Sequence, residues 1–182
     1  MPSLREILAR VFRAAAAAAE GQRTVAISVQ RQLHSNWCWA ACASSASGFF
    51  DQASIWGQCA VVNAELDTKQ CCADGGSAKC NAPWYLDRAL LRTGNFARKS
   101  DGPARWDTVR AEIDAGRPVG VRIGWFGGGG HFVMITGYRA VGGARDVDVQ
   151  DPWTGSSRIT LDALAKSYKN RGKWTHTYLT RR

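Results

Sequence analysis

The spacing of hydrophobic residues differs between the two halves of the chain. In the first half, small and apolar residues form compact or helically spaced runs, which predict helices at residues 37–50, 83–91 and 106–115. The second half alternates as strands do, in the segments PVGVRIGW, HFVMITGYRA, RDVDVQD, SRIT and KWTHTYLT. One more helix is predicted at residues 161–168 and one early strand at residues 25–29. Helices followed by an antiparallel sheet indicate an α+β fold.

The sequence pattern of residues 1–22 predicts a separate amphipathic helix. Ser3 and Glu6 have the spacing of a capping box, and Gly21 is placed to end the helix. Charged residues interrupt the apolar run that a secretory signal peptide requires, so an accessory helix or pro-segment is favoured over a cleaved signal. Residues 23–182 are then expected to form a single domain. The apolar stripe of the predicted helix consists of Leu4, Ile7, Leu8, Val11 and Phe12.

Length and charge narrow the class of protein. The chain of 182 residues is long enough to bury a sizeable core, and no apolar run approaches the length of a membrane span. The formal net charge is +9, but Lys and Arg are scattered, and no nucleic-acid-binding motif accompanies them. We therefore expect a solvated basic surface and no nucleic-acid partner.

The stretch QRQLHSNWCWAACASS, residues 30–45, contains two cysteines at the start of a predicted helix. A thiol is a good nucleophile only as thiolate, and a helix N-terminus lowers its pKa. Cys38 lies at that terminus, whereas Cys42 lies one turn further in and is interpreted as a core residue. Gln32, six residues before Cys38, and the backbone N–H of Cys38 are candidate donors to the oxyanion of an acyl transfer.

This stretch resembles the papain-like cysteine peptidases. They carry a glutamine six residues before the nucleophile and a Cys-Trp-Ala step at the start of a long helix, and the chain matches at Gln32, Cys38 and Trp39. Trp37 replaces the small residue that usually precedes the nucleophile. The Trp-Cys-Trp-Ala-Ala form is more similar to the bacterial branch, which includes staphylococcal-type peptidases and plant-pathogen effector proteases. The resemblance implies a papain-like catalytic domain, whose N-terminal helical half carries the nucleophile helix and packs on a C-terminal β-sheet half.

The same resemblance implies a histidine much later in the chain, at the start of a strand. His131 opens the predicted strand HFVMITGY and is the candidate general base. His34 is too close to Cys38 in sequence for this role. His176 lies in the last predicted strand, and no later residue is placed to orient it.

Asp151 is the candidate third member of the triad. It shares strand parity with Val147 and Val149, so an apolar face ends in a carboxylate, which is costly to bury without a partner. The imidazole N–H of His131 is a suitable partner and would fix the tautomer of the ring. Papain has Asn at this position, and the bacterial effector branch tolerates Asp. Trp153 matches the tryptophan that shields this contact in the family.

The implied function is hydrolysis of peptide bonds in a protein or peptide substrate, through a thioester and without a cofactor or metal. The same triad would serve deamidation of glutamine or acyl transfer, as in papain-like toxins. A catalytically inactive binding module is a weaker alternative, because such a module has no physical need for the four residues. The helix at residues 1–22 is a candidate intramolecular inhibitor.

Four further cysteines lie within one short stretch: Cys59, Cys71, Cys72 and Cys80. A bridge between the adjacent Cys71 and Cys72 would be strained. Two disulfide patterns remain open, in which Cys59 joins either Cys71 or Cys72 and the remaining cysteine joins Cys80. A zinc site is disfavoured because paired Cys-x-x-Cys spacing is missing, and buried reduced thiols are the remaining alternative. Disulfides favour an exported protein, whereas no signal peptide is evident, so the localisation stays open.

Four other features stand outside these motifs. The glycine run at residues 127–130 is either a flexible connection or a backbone that approaches substrate beside His131. Trp125 is a candidate wall of the cleft. Arg122 and Tyr138 have no predicted role.

Overall fold

The computed structural model describes residues 5–6 and 21–182. The helix predicted at residues 1–22 therefore lies almost entirely outside the described residues. Within them, no helix is both long and apolar enough to cross a bilayer.

The described residues contain five helices: α1 (Cys38–Phe50), α2 (Gln58–Glu65), α3 (Leu86–Arg92), α4 (Trp106–Asp114) and α5 (Leu161–Ser167). Every residue from Cys38 to Ser47 is buried, because small Ala and Ser side chains let α1 lie between α2, α3 and the sheet. Helix α3 begins three residues after Pro83, so the predicted start was early. Helix α2 was not predicted. Only Gln58, Val61 and Val62 of its eight residues are buried, which leaves little apolar periodicity to read.

The sheet has seven strands: β1 (Gly21–Thr24), β2 (Phe96–Asp101), β3 (Val119–Trp125), β4 (Gly130–Val141), β5 (Ala144–Asp151), β6 (Gly155–Thr160) and β7 (Gly172–Thr180). Their order is β2-β7-β3-β4-β5-β6, with β1 paired to β4, and every pairing is antiparallel. The prediction of an α+β fold with helices before an antiparallel sheet is confirmed.

The early strand differs from its prediction. Gly21, which was expected to end a helix, begins β1, and residues 25–29 lie outside the ladder. Val25 and Ile27 are buried, as the alternating pattern required. The backbone N–H of Val25 donates to Thr136 O at 2.7 Å, whereas that of Val29 donates to the side chain of Gln150 at 2.7 Å. The backbone N–H of Ile27 donates to Val25 O at 2.8 Å within the segment, so the pairing with β4 ends before Val29.

Two disulfides brace the loop that precedes α3. Cys59 pairs with Cys72, and Cys71 pairs with Cys80, which is one of the two patterns left open by the sequence. The braced loop binds the N-terminus of α1: the indole N–H of Trp37 donates to Cys80 O at 2.9 Å, and that of Trp39 donates to Ala82 O at 3.1 Å. The disulfide loop therefore supports the end of α1 at which Cys38 lies.

Candidate active site

Cys38 is the first residue of α1 and is 7% exposed. Its backbone N–H has no acceptor within the helix, as is general for the first turn. Trp37 precedes it without a side-chain cap, and the first turn carries no acidic residue. The positive end of the helix is therefore directed at the thiol without a competing cap or carboxylate.

His131 lies at the start of β4 and is 6% exposed. Its Nε2 lies 2.7 Å from Asp151 Oδ1, which leaves Nδ1 for the Cys38 thiol. Burial is the largest single influence on the ring and lowers its pKa. Hydrogen bonds to Asp151 and Cys38, together with the negative charges of both, outweigh burial and raise the pKa of His131 to about 9. At neutral pH the imidazole is therefore protonated between two acidic partners.

The Asp151 carboxylate ends β5 and is only 2% exposed. Burial alone would raise its pKa, but hydrogen bonds from His131, the Trp153 backbone N–H and Lys169 hold the pKa well below the usual range. The group is therefore an ionised acceptor. Its other donors are Trp153 N (2.8 Å) and Thr154 N (3.3 Å) on Oδ1, and Thr154 Oγ1 (2.9 Å), Tyr168 OH (2.9 Å) and Lys169 Nζ (3.1 Å) on Oδ2.

Sequence reasoning missed Tyr168 and Lys169 as partners of Asp151. They follow α5, where Lys169 and Asn170 have φ of 51° and 57° in a left-handed turn. This turn directs both side chains at the same carboxylate oxygen. Asn170 is the only sequence signal for such a turn, and nothing local indicates where the two side chains end. Burial, with the charge of Asp151 and its hydrogen bond, raises the pKa of Tyr168, which keeps the phenol a donor.

The backbone of Gln32 is held next to that of Asp151, because the Gln32 N–H donates to the carbonyl of the following residue, Pro152, at 2.9 Å. Its side-chain Nε2 donates to His34 O and Ser35 O, each at 2.8 Å. Its Oε1 is buried without a partner among the described residues. Both amide protons thus have acceptors here, and donation to an oxyanion requires one of these bonds to be exchanged when substrate binds.

A tryptophan covers the imidazole, but it comes from β3. The Trp125 ring stacks on His131 with centroids 5.8 Å apart and an interplanar angle of 15°. Trp153 is 50% exposed and contributes its backbone N–H to Asp151. Trp39 is fully buried and fixes α1 through its bond to Ala82.

The other cysteine of α1 and the other histidines have different environments. Burial, with the charges of Cys38 and Asp151 adding to it, raises the pKa of the Cys42 thiol well above its ordinary value. The ring of His34 packs edge-on against Trp37 at 4.4 Å. His176 lies 3.5 Å from Asp101.

A cleft with a volume of about 1310 Å³ opens over Cys38, His131 and Asp151. Its walls are aromatic on both sides, formed by Trp84, Tyr85, Trp125, Phe132, Trp153 and Tyr178. Among the described residues, no group of three or more His, Cys, Asp or Glu side chains is arranged to hold a metal ion. The arrangement places a candidate nucleophile, a protonated imidazole and an ionised carboxylate at an open groove, which suits acyl transfer.

Comparisons with known proteins agree with this chemistry. A family model described as papain-like cysteine protease AvrRpt2 matches residues 19–169. The structure is similar to that of digestive procathepsin L 3 from the larval midgut of Tenebrio molitor, with 14% identity and a TM-score of 0.55 over 90% of this chain and 70% of that chain. It is also similar to a chain from a study of the mite allergens Blo t 1 and Der p 1, with 14% identity and a TM-score of 0.53 over 85% of this chain and 67% of that chain. At these identities the two structures show the fold alone. A search of curated proteins finds no significant match.

Proposed function

The chain belongs to the papain-like cysteine protease family of the AvrRpt2 type, and from this premise we propose that Cys38, His131 and Asp151 are its catalytic triad. Membership makes the protein a cysteine peptidase that hydrolyses proteins. The observation that carries the triad is the position of His131, which is hydrogen-bonded to Asp151 at 2.7 Å and to Cys38, at the cleft.

In the proposed reaction, the Cys38 thiolate attacks the carbonyl carbon of the scissile bond. The oxyanion accepts a hydrogen bond from the backbone N–H of Cys38 and a second from the amide of Gln32, after that amide releases a backbone carbonyl. The His131 imidazolium then gives its proton to the leaving amine, and a thioester forms. Water attacks the thioester, His131 takes one proton from that water, and the thiolate leaves as the carboxylic acid product is released. Asp151 holds the ring and stabilises its charge throughout.

The nucleophile is tested by comparing two cysteines of the same helix. Cys38→Ala should abolish cleavage of casein on a gel, whereas Cys42→Ala should keep most of it, because the Cys42 thiol is buried and protonated. Iodoacetamide labelling, located by mass spectrometry, should modify Cys38 faster than Cys42, and His131→Ala should slow the labelling of Cys38. Casein cleavage that survives in Cys38→Ala would exclude Cys38 as the nucleophile.

We also propose that the segment before β1, predicted from its sequence as an accessory helix, inhibits the catalytic domain that follows it. The support is the apolar stripe of this segment, which needs a surface to cover it. A charge in the stripe, Leu8→Glu, should raise casein cleavage by the full chain, and unchanged cleavage would count against inhibition. Arg5→Gln, outside the stripe, is the matched control.

A further inference from the structure

Neighbouring strands present one row of side chains to the cleft beside His131. Phe132 of β4 lies opposite Arg122 of β3, which lies opposite His176 of β7. Directly opposed residues of antiparallel strands point to the same face of the sheet. With Lys99 and Tyr178, which are paired in the same way between β2 and β7, they line the cleft. We call these five residues the Arg122 wall.

The Arg122 guanidinium is held in place by its neighbours. Its Nη1 donates to Thr175 Oγ1 at 3.0 Å. Its Nη2 lies against the start of β4, where a Cβ at Gly130 would come within 2.8 Å of it. Glycine at this position therefore leaves room for the guanidinium directly before His131, and the group is preorganised for a ligand.

Arg122 differs in its charge balance from the lysines of the cleft. Lys99 pairs with Asp87 at 3.3 Å, and Lys169 pairs with Asp151 at 3.1 Å. Among the described residues, Arg122 has neutral partners only, which are the Thr175 hydroxyl and the Gly129 carbonyl.

His176 lies beside Arg122 and responds to its charge. Burial, followed by the positive charges of Lys99 and Arg122, lowers the pKa of His176 against the opposing charges of Asp101 and Asp87. The nearby carboxylate of Asp101 is 95% exposed and therefore well screened by solvent. Among the described residues that line the cleft, Asp151 is the only carboxylate, and it is already engaged by His131 and Lys169.

We propose that Arg122 binds a carboxylate of the substrate, so that the peptidase prefers an aspartate or glutamate side chain close to the cleaved bond. This inference rests on the proposed function. A fixed, half-buried guanidinium without a counter-ion gains most from a charged acceptor, since hydrogen bonds to ionised groups are the stronger ones. If Arg122 only braced the glycine turn, Arg122→Gln would slow the cleavage of substrates with glutamate and with glutamine equally.

The test digests a proteome-derived peptide library with the full-length protein and identifies the cleavage sites by mass spectrometry. One position near the cleaved bond should be enriched in Asp and Glu. A pair of synthetic peptides that differ only by Glu or Gln there should differ about tenfold in kcat/KM. Arg122→Gln should abolish this difference by slowing the Glu peptide alone, and Arg122→Lys should keep part of it. Arg171→Gln is the matched control, because Arg171 lines the same cleft outside the Arg122 wall.

Three outcomes would overturn the proposal. If the cleavage sites show no preference for acidic residues, the proposal for Arg122 is wrong, whereas the assignment as a peptidase is unaffected. An equal loss for both peptides in Arg122→Gln, with the preference unchanged in Arg122→Lys and at raised salt, would make Arg122 a brace. If the wild-type protein and Cys38→Ala both fail to cleave any peptide, the proposed function fails. This inference then fails with it.

Discussion

At the scale of single residues, the Asp151 carboxylate is the point on which the hydrogen bonds of the site converge. His131 occupies Oδ1, while Tyr168 and Lys169 occupy Oδ2. A neutral asparagine would hold the imidazole by geometry alone, whereas this carboxylate also attracts the imidazolium by charge. Lys169 opposes that attraction, because its ammonium lies 3.1 Å from the same group. Lys169 therefore places a positive charge beside the hydrogen-bonded pair of Asp151 and His131.

Lys169→Met should extend activity to higher pH. In the proposed mechanism the active form contains protonated His131, whose pKa is about 9, so kcat/KM should fall as pH rises through that value. Removing a cation near the ring favours its charged form, and the alkaline limb should move upward by about half a pH unit after allowance for the exposure of Lys169. The measurement is the pH profile of kcat/KM for a peptide substrate.

Lys166→Met is the control for this measurement. Lys166 pairs with Asp162 on the surface of α5, and both side chains are nearly three-quarters exposed. Its profile should match that of the wild type. A Lys169→Met profile that lies on the wild-type curve would show that Lys169 does not influence His131.

The site residues that could be predicted are those marked by a short local pattern in the sequence. Cys38 and Gln32 belong to one short motif, and Asp151 is the carboxylate that ends an otherwise apolar strand face, so the sequence indicates all three. Lys169 and Trp125 reach the site through a left-handed turn and through stacking across strands. Neither contact leaves a periodic signal in the chain.

At the scale of elements, the N-terminus of α1 depends on the disulfide loop. Trp37 and Trp39 donate to carbonyls of Cys80 and Ala82, while Asn36 donates two hydrogen bonds to Asn81, from its backbone N–H at 2.9 Å and from its side-chain amide at 2.7 Å. All of these partners lie at or directly after Cys80. The bridge from Cys71 to Cys80 is therefore closer to the candidate nucleophile than the bridge from Cys59 to Cys72.

Removing either bridge should cost similar stability but different activity. The double variants Cys71→Ser/Cys80→Ser and Cys59→Ser/Cys72→Ser should each lose about 3 kcal/mol in free energy of unfolding, since the two loops are of similar length. The first variant should also lose kcat because the end of α1 loses its support. Urea denaturation and peptide kinetics measure the two effects. Equal losses of kcat in the two variants would show that the contacts after Cys80 have no special role.

Helices and strands with a strong hydrophobic period could be predicted from the sequence. Those that form only through tertiary contacts could not. The alternation of apolar residues located β3, β4 and β5 to within about one residue. Strand β2 has the polar sequence FARKSD, of which only Phe96 is even half-buried, so it forms because β7 offers an edge. Helix α2 has a bridged cysteine where a periodic apolar residue would otherwise identify it.

At the scale of the whole molecule, the order of helices and strands is enough to give the fold class, because the two halves have different hydrophobic periods. The sheet order is not readable from that pattern. Strand β7 lies between β2 and β3, far from its sequence neighbour β6, and it contributes His176 and Tyr178 to the cleft. The buried carboxylate of Asp151 contributes both to the stability of the molecule and to the geometry of the site.

Asp151 should make the folded state sensitive to acid. Its pKa in the folded protein is depressed, so its contribution to stability is present above the unfolded value of about 4 and is lost as pH falls below it. In Asp151→Asn, the free energy of unfolding should therefore fall less steeply between about pH 4 and pH 2 than in the wild type. Asp162→Asn on the surface of α5 is the matched control. Urea titrations at several pH values give the slopes, and identical slopes for all three proteins would contradict the prediction.

The disulfide loop has a consequence for the conditions under which the molecule can work. In the proposed reaction Cys38 acts as a thiolate, so oxidants that convert it to sulfenic acid or a mixed disulfide should stop the reaction. The bridge between Cys71 and Cys80 needs the opposite, since a strong thiol reductant opens it and releases the end of α1. Activity is thus confined between two redox potentials, one set by the candidate nucleophile and the other by the loop that holds it. In a glutathione titration, we expect the rate to pass through a maximum instead of rising steadily with reductant.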